Sequence, residues 1–195
     1  IADEYLAVRG RAPTHLFVPV GVGGLAAGLI AGFRAAGTAP LVVTVEPVKA
    51  ASLLTSLRAG ALRSVEGPAT SLMIGLACET PCTQAWPLLR ATVDHALALP
   101  DARAAEAMRA LAVGDGDRPL VAGETGAAAY AGLVAAAGDP ALRQALGLDA
   151  RSRVLVPNTE GATDPETYFR LVGRTAKDVA RRGSGACPPG PFTGH

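Results

Sequence analysis

His15-Leu-Phe-Val-Pro-Val-Gly-Val-Gly-Gly24 is the stretch on which the fold turns. Its first six residues form an uninterrupted apolar run that ends in glycines, the pattern of a short strand buried on both faces. Gly21-Val-Gly-Gly24 then reads as a turn, and residues 25–36 read as a helix closed by Gly37. Gly28 and Gly32 fall on that helix. A glycine inside a helix costs about 1 kcal/mol relative to alanine, so closely packed neighbours are expected against both.

The alternation continues downstream. Leu41-Val-Val-Thr-Val45 is a second β-branched run, ended by Glu46-Pro47, and residues 50–58 form a short helix stopped by Gly60. Residues 60–82 mix Gly, Pro, Ser and Thr and predict a long irregular loop or a short helix; loops of that length are usually functional. Residues 84–90 and 101–113 read as helices, the second with Asp101 as N-cap and Gly114 as its stop. Pro119-Leu-Val-Ala122 is a candidate short strand, followed by Gly123-Glu-Thr-Gly126 and an Ala-rich helix to residue 137; residues 140–146 add another helix. Arg153-Val-Leu-Val-Pro157 is a third strand. It feeds Asn158-Thr-Glu-Gly161-Ala-Thr-Asp-Pro165, where Asp164 suits an N-cap and Pro165 the first turn of a last helix. Upstream, residues 1–8 read as the end of a helix.

Strands alternating with helices predict an α/β fold with a largely parallel sheet, whose strands are buried on both faces. Ligands of such sheets sit at the carboxyl ends of the strands. Segments 21–24, 123–126 and 158–164 all fall at such ends, and their convergence on one crevice is the main functional expectation.

The chain has 195 residues, the size of one domain, and is long enough to bury a core without disulfides or metal. A hydrophobic fraction of 49% against 18% charged excludes a disordered chain, and unperiodic Gly and Pro exclude a collagen-like one. The formal net charge of +1 provides no basic surplus, so neither nucleic acid nor a membrane is expected as a partner. The longest apolar run, residues 25–33, is too short for a span of ~20 residues, and no signal-peptide pattern opens the chain. Cys78, Cys82 and Cys187 make no disulfide framework, and no Cys or His pair follows at zinc spacing. Reduced thiols, a cytoplasmic setting and no metal are the resulting expectations. Only Lys49 and Lys177 among the 18 basic residues are lysines. The chain opens on Ile1, and a further N-terminal portion is expected before it.

The Gly-rich turn points to phosphate. Glycines let the backbone approach a ligand, and the first amides of a helix are unpaired and lie at its positive end. The plain alternative is a tight turn with no ligand. Two phosphate chemistries compete. In the first, Gly21-Val-Gly23-Gly-Leu-Ala26 fits the G-x-G-x-x-[GA] pattern of dinucleotide-binding folds, with Glu46 at the end of the next strand where a ribose-binding acid belongs. In the second, Pro19-Val-Gly-Val-Gly-Gly24-Leu resembles the phosphate loop of tryptophan synthase β chains and serine/threonine dehydratases. Gly123-Glu124-Thr-Gly126-Ala resembles their E-x-[ST]-G-A element, and Val154-Leu-Val-Pro-Asn-Thr-Glu-Gly161 resembles the strand and turn that meet the pyridine nitrogen of pyridoxal phosphate. A dinucleotide fold explains neither of these later segments. Val45-Glu-Pro47, Thr70-Ser-Leu-Met-Ile-Gly-Leu-Ala-Cys78 and Asn158-Thr-Glu-Gly-Ala-Thr-Asp-Pro165 bring the chain nearest to the diaminopropionate ammonia-lyase branch. The resemblance runs from about residue 14 to 172 and corresponds to the C-terminal portion of those enzymes.

That resemblance implies an incomplete tryptophan synthase β-like fold over residues 1–172, with a tail at 173–195 expected to be disordered. It implies pyridoxal 5'-phosphate as cofactor, its phosphate held by the backbone of Gly21, Val22, Gly23, Gly24 and Leu25. Asn158 or Thr159 would meet the pyridine nitrogen as a neutral partner. Glu124 would lie near the ring face, the alternative being an acid at a helix N-terminus. Thr70, Ser71 and Met73 would shape the pocket of an amino-acid substrate, the alternative being an ordinary surface loop. Glu46, His15, His95, Asp164 and Tyr130 are expected to be structural.

No catalytic residue is assigned. The Schiff-base lysine and the acidic catalytic residue of the family lie in its N-terminal part, and neither Lys49 nor Lys177 sits in a matching motif. The implied reaction of the intact enzyme, expected to be a homodimer, is α,β-elimination of ammonia from 2,3-diaminopropionate to give pyruvate and ammonia; this chain alone is expected to be inactive. A Rossmann-type NAD- or adenosyl-binding protein and a non-catalytic remnant or partner subunit remain as alternatives.

Overall fold

The computed structural model describes residues 1–184. In chain order the elements are α1 (Ala2–Arg9), β1 (His15–Pro19), α2 (Gly24–Ala35), β2 (Leu41–Pro47), α3 (Ser52–Ala59), α4 (Trp86–Thr92), β3 (His95–Leu99), α5 (Asp101–Val113), α6 (Ala128–Gly138), α7 (Pro140–Ala145), β4 (Val154–Leu155), α8 (Pro165–Val172) and α9 (Ala176–Ser184). Short 3₁₀ turns cover Val48–Ala50 and Ile74–Leu76.

All strand pairs are parallel, in the order β3-β2-β1-β4. All five residues of β1 are buried. Alternate side chains point to opposite faces. Leu16 and Val18 pack with Leu29 and Phe33 of α2, Leu53 of α3 and Leu89 of α4. Phe17 points the other way and packs with Val43, Val45 and Ala129 and Ala136 of α6. A further cluster around Met108, Ala127 and Tyr168 joins α5, α6 and α8. The sheet is thus sandwiched between helical layers, which satisfies the unbroken apolar runs of its central strands. His15 is a core residue, its Nε2 2.8 Å from the Leu146 carbonyl and its Nδ1 2.8 Å from Thr14 Oγ1.

Several details differ from the sequence expectations. His95–Leu99 is a strand; its Ala/Leu pattern carries no β-branched signal, and pairing along β2 imposes the extended form. Pro119–Ala122 is not a strand, because the Leu120 amide goes to the Leu111 carbonyl at the end of α5. Only Val154 and Leu155 of the expected 153–157 strand pair, since β4 has β1 on one side and no strand on the other among the described residues. Pro100, not Asp101, occupies the N-cap of α5. Of the two α2 glycines, Gly32 is pressed against Ala2, where an added Cβ would lie 2.8 Å from Ala2 Cβ, whereas Gly28 faces open space. The tail expected from residue 173 contains α9, anchored by buried Val179; residues 185–195, with Cys187, lie outside the described residues. Asp164 does cap α8, accepting from the Glu166 and Thr167 amides at 3.1 Å each.

Glu46 closes β2 in full burial. Its Oε1 accepts from Leu53 N at 2.7 Å and its Oε2 from Leu54 N at 2.8 Å, which caps α3 from a neighbouring strand because the local N-cap, Ala51, has no side-chain acceptor. Burial pushes its pKa up to about 7, and the two amides only partly oppose that.

Two glycines make a paired test of packing. A Cβ at Gly132 of α6 would overlap Val45 Cγ2. Gly132→Ala is therefore expected to lower stability in urea by about 1–2 kcal/mol, overpacking outweighing the helix-propensity gain. Gly28→Ala is expected to raise it by about 0.5–1 kcal/mol. Equal signs for the two would contradict this packing. Glu46 predicts a pH signature. Its pKa is raised on folding, so the folded chain holds the proton more tightly and stability falls as pH rises from about 4.5 to about 7. Glu46→Gln should remove up to about 3 kcal/mol of that fall. Parallel stability curves for the two proteins across this window would refute it.

Candidate functional site

The chain leaves β1 towards β2, and β4 later returns to the opposite side of β1. The connections that follow β1 and β4 therefore part at the carboxyl edge of the sheet, and such a switch point opens a crevice there. The Gly21–Gly24 turn stands at the end of β1. Gly23 is the N-cap of α2 with φ 97°, a left-handed conformation that favours glycine, and a Cβ there would lie 2.5 Å from Leu89 Cδ1. A Cβ at Gly21 would lie 2.7 Å from the Gly75 carbonyl. The first amide of this region with a backbone partner inside the helix is Ala27, which donates to Gly23 O at 2.9 Å. The amides of Gly21, Gly23, Gly24, Leu25 and Ala26 have no acceptor among the described residues. The Val22 carbonyl accepts from Cys82 N at 2.8 Å, which ties the turn to the start of the 82–85 segment. Burial raises the Cys78 pKa, and the Val22 amide works against that rise. The first turn of α2 holds no acidic residue. A run of unpaired N–H groups at the positive end of a twelve-residue helix has the chemistry to hold an anion.

The other two segments interlock. Gly123 N donates to Glu160 O at 2.9 Å, and Thr125 N and Gly126 N donate to Glu160 Oε2 at 2.7 and 3.2 Å. Asn158 Nδ2 donates to Val121 O at 2.9 Å. A Cβ at Gly123 would overlap Gly161 O, and one at Gly126 would overlap Asn158 Oδ1. Glu124 is buried on this turn, and Asn158 and Thr159 are exposed beside it. Glu124 is not a first-turn acid of α6, which starts at Ala128 and has none.

The loop from 70 to 82 lies between the Gly-rich turn and the 123–126 turn. Gly75 N donates to Thr125 Oγ1 at 3.2 Å, while the Gly75 carbonyl abuts Gly21. The expected substrate residues are dispersed. Ser71 Oγ donates to Asp101 Oδ1 at 2.6 Å and accepts from Met73 N at 2.9 Å, so its hydroxyl is tied into the loop's own structure. Met73 is a core residue, packed with Leu76, Ala104 and Ala128, because the loop turns its longest apolar chain inward. Thr70 is exposed and lines a depression of about 680 Å³ with Lys49 and Arg63. A groove of about 780 Å³ beside β4 reaches the interlocked turns at Gly126 and Asn158.

Glu46 is buried and occupied by the α3 amides, so it offers no carboxylate to a ribose, and the dinucleotide reading loses its acid. Two residues of this region have roles that the sequence did not point to, Asp101 having been expected only as a helix cap. Asp101 fastens the 71–73 loop, also accepting from Leu72 N at 2.8 Å, and Glu160 fastens the 123–126 turn. The T-E-G-x-T-D-P string contains Glu160, but no local spacing links it to amides 34 and 35 residues away.

Residues 1–160 match the family model described as pyridoxal-phosphate dependent enzyme. The chain is 33% identical over 186 residues to diaminopropionate ammonia-lyase of Escherichia coli K12, which covers 92% of this chain and 46% of that protein. It is also 33% identical over 187 residues to the enzyme of the same name from Salmonella typhimurium, covering 90% and 46%. The crystal structure of holo diaminopropionate ammonia lyase from Escherichia coli superposes with a TM-score of 0.76 at 32% identity, over 88% of this chain and 44% of that one. Threonine deaminase of T.th. superposes at 0.63 with 26% identity, over 80% and 52%. The chain thus spans about half the length of the curated relatives it matches. Its parallel-sheet fold is that of the fold type II enzymes, and the chain belongs to the pyridoxal-phosphate dependent enzyme family.

Proposed function

We propose that this chain forms the phosphate-holding and ring-edge part of a pyridoxal phosphate-dependent ammonia-lyase, and that the intact enzyme eliminates ammonia from 2,3-diaminopropionate to give pyruvate and ammonia. The observation that carries the reading is the set of five partnerless amides at the switch point, next to the interlocked turns that present Glu124 and Thr159. The residues fit the group: a helix start whose first amides are unpaired, with no acid in its first turn to repel an anion.

When bound, pyridoxal phosphate supplies an electron sink that labilises bonds at the substrate Cα. The amides of Gly21, Gly23, Gly24, Leu25 and Ala26 would hold its phosphate without any cationic side chain. Val22, whose carbonyl is held by Cys82 N, would stand in the same turn. Asn158 is committed through its side-chain amide to Val121 O, so it serves as a brace. Thr159, exposed beside it, would supply the neutral hydroxyl for the pyridine nitrogen. A neutral hydroxyl there would favour the unprotonated ring nitrogen, which would suit elimination chemistry. Glu124, buried on the 123–126 turn, would lie near the ring face. Thr70, Ser71 and Met73 act indirectly at most, Ser71 and Met73 by keeping the 70–78 loop in shape. The choice of 2,3-diaminopropionate rests on the identity to the two ammonia-lyases. A homodimeric intact enzyme follows from the resemblance, and the free thiols of Cys78 and Cys82 support a cytoplasmic setting.

Gly24 supplies a clean test, because a side chain there meets nothing within 4 Å. Pyridoxal phosphate and inorganic phosphate are expected to raise the melting temperature of the chain, and NAD is not. Gly24→Asp, which puts a negative charge beside the amides, should weaken both ligands by about tenfold or more while leaving the unliganded fold intact. Stabilisation by NAD alone, or unchanged phosphate affinity in the variant, refutes the site. With the family's lysine-bearing part joined to these residues, pyruvate release should be faster from 2,3-diaminopropionate than from serine; the reverse order refutes the substrate.

A further inference from the structure

We infer that Glu160 is a positioning residue that sets the seat of the cofactor ring, by holding the Glu124 turn at a set distance from Thr159. The inference deepens the reading above and rests on it.

Glu160 lies one residue after Thr159, and its main chain and side chain both reach across to the other turn. Its carbonyl accepts from Gly123 N at 2.9 Å, and its Oε2 accepts from Thr125 N at 2.7 Å and Gly126 N at 3.2 Å. Three amides of a four-residue turn therefore end on one residue, and Glu124 is the member of the turn between them. The side chain is half-buried and has no ion-pair partner among the described residues, so the Thr125 and Gly126 amides are its polar partners. Hydrogen bonds to an ionised acceptor are shorter and stronger than neutral ones. The approach has no slack, since Gly123 would meet Glu160 Oε2 at 2.7 Å with a Cβ, and Gly126 would meet Glu160 O at 2.5 Å.

A clamp of this kind acts on the ring and not on the phosphate. The phosphate amides belong to α2 and the turn after β1, which the 160 turn does not touch directly. Loss of the clamp should therefore weaken the whole cofactor while leaving a bare anion unaffected.

The test measures affinity of the chain for pyridoxal phosphate and for inorganic phosphate by equilibrium dialysis, in wild type, Glu160→Asp and Glu160→Gln. Asp keeps the charge but withdraws the oxygen by one methylene. Gln keeps an acceptor oxygen at the same reach. Glu160→Asp is expected to weaken pyridoxal phosphate about tenfold with inorganic phosphate unchanged, and Glu160→Gln to stay within about threefold of wild type for both. Unchanged pyridoxal phosphate affinity in Glu160→Asp overturns the inference. So does a parallel loss of both ligands, or a variant that no longer folds, either of which makes Glu160 a stability residue. A wild-type chain that binds inorganic phosphate but not pyridoxal phosphate overturns it as well. If wild type binds neither, the failure lies in the phosphate reading of residues 21–26 beneath it.

Discussion

Strand β1 is paired in parallel on both sides and buried along its whole length, and the site depends on that position. Flanked by β2 and β4, it forces the chain to leave one side of the sheet and return on the other. The Gly-rich turn at its end is then held beside the turn after β4, at the one edge where backbone groups are not used up by the sheet. Its alternating side chains anchor helices on both faces, so the start of α2 is braced by Leu29, Ile30 and Phe33 in the core. Partnerless amides persist there because the helix is fixed from behind and has no freedom to bury them.

Carboxylates organise the rest of this edge. Glu46 holds the start of α3, Asp101 the 71–73 loop, Glu160 the 123–126 turn and Asp164 the start of α8. In each case the acid accepts from backbone amides that local structure leaves unpaired. The ion pairs among the described residues, by contrast, all lie on exposed side chains, where their worth is small. Loops that carry chemistry need order without regular secondary structure, and carboxylate-to-amide contacts provide it.

Much of the fold was legible in the residues. The apolar runs at 15–20 and 41–45 became β1 and β2, and Asp101–Val113 is a helix with its stop at Gly114. The Gly-rich turn follows β1 and the 158–164 segment follows β4, as expected, whereas the 123–126 turn follows no strand and joins the second of them through Glu160. His95–Leu99 was not legible, because a strand made of Ala and Leu owes its form to its neighbour's hydrogen bonds. Nor was the interior position of Met73, since a loop's direction of turn leaves no period in the sequence.

Local chemistry is written in the order of the residues: where glycine permits a left-handed turn, where a helix begins with unpaired amides, and which short strings match the pyridoxal phosphate family. These depend on neighbours within a few positions. Which groups meet across the molecule is a matter of folding in three dimensions. Glu46 left the ribose reading for the start of α3, Asn158 became a brace, and Glu160 reached amides 34 and 35 residues away. Such contacts are set by the parallel register of the sheet, which brings distant strand ends together, and spacing along the chain does not record it.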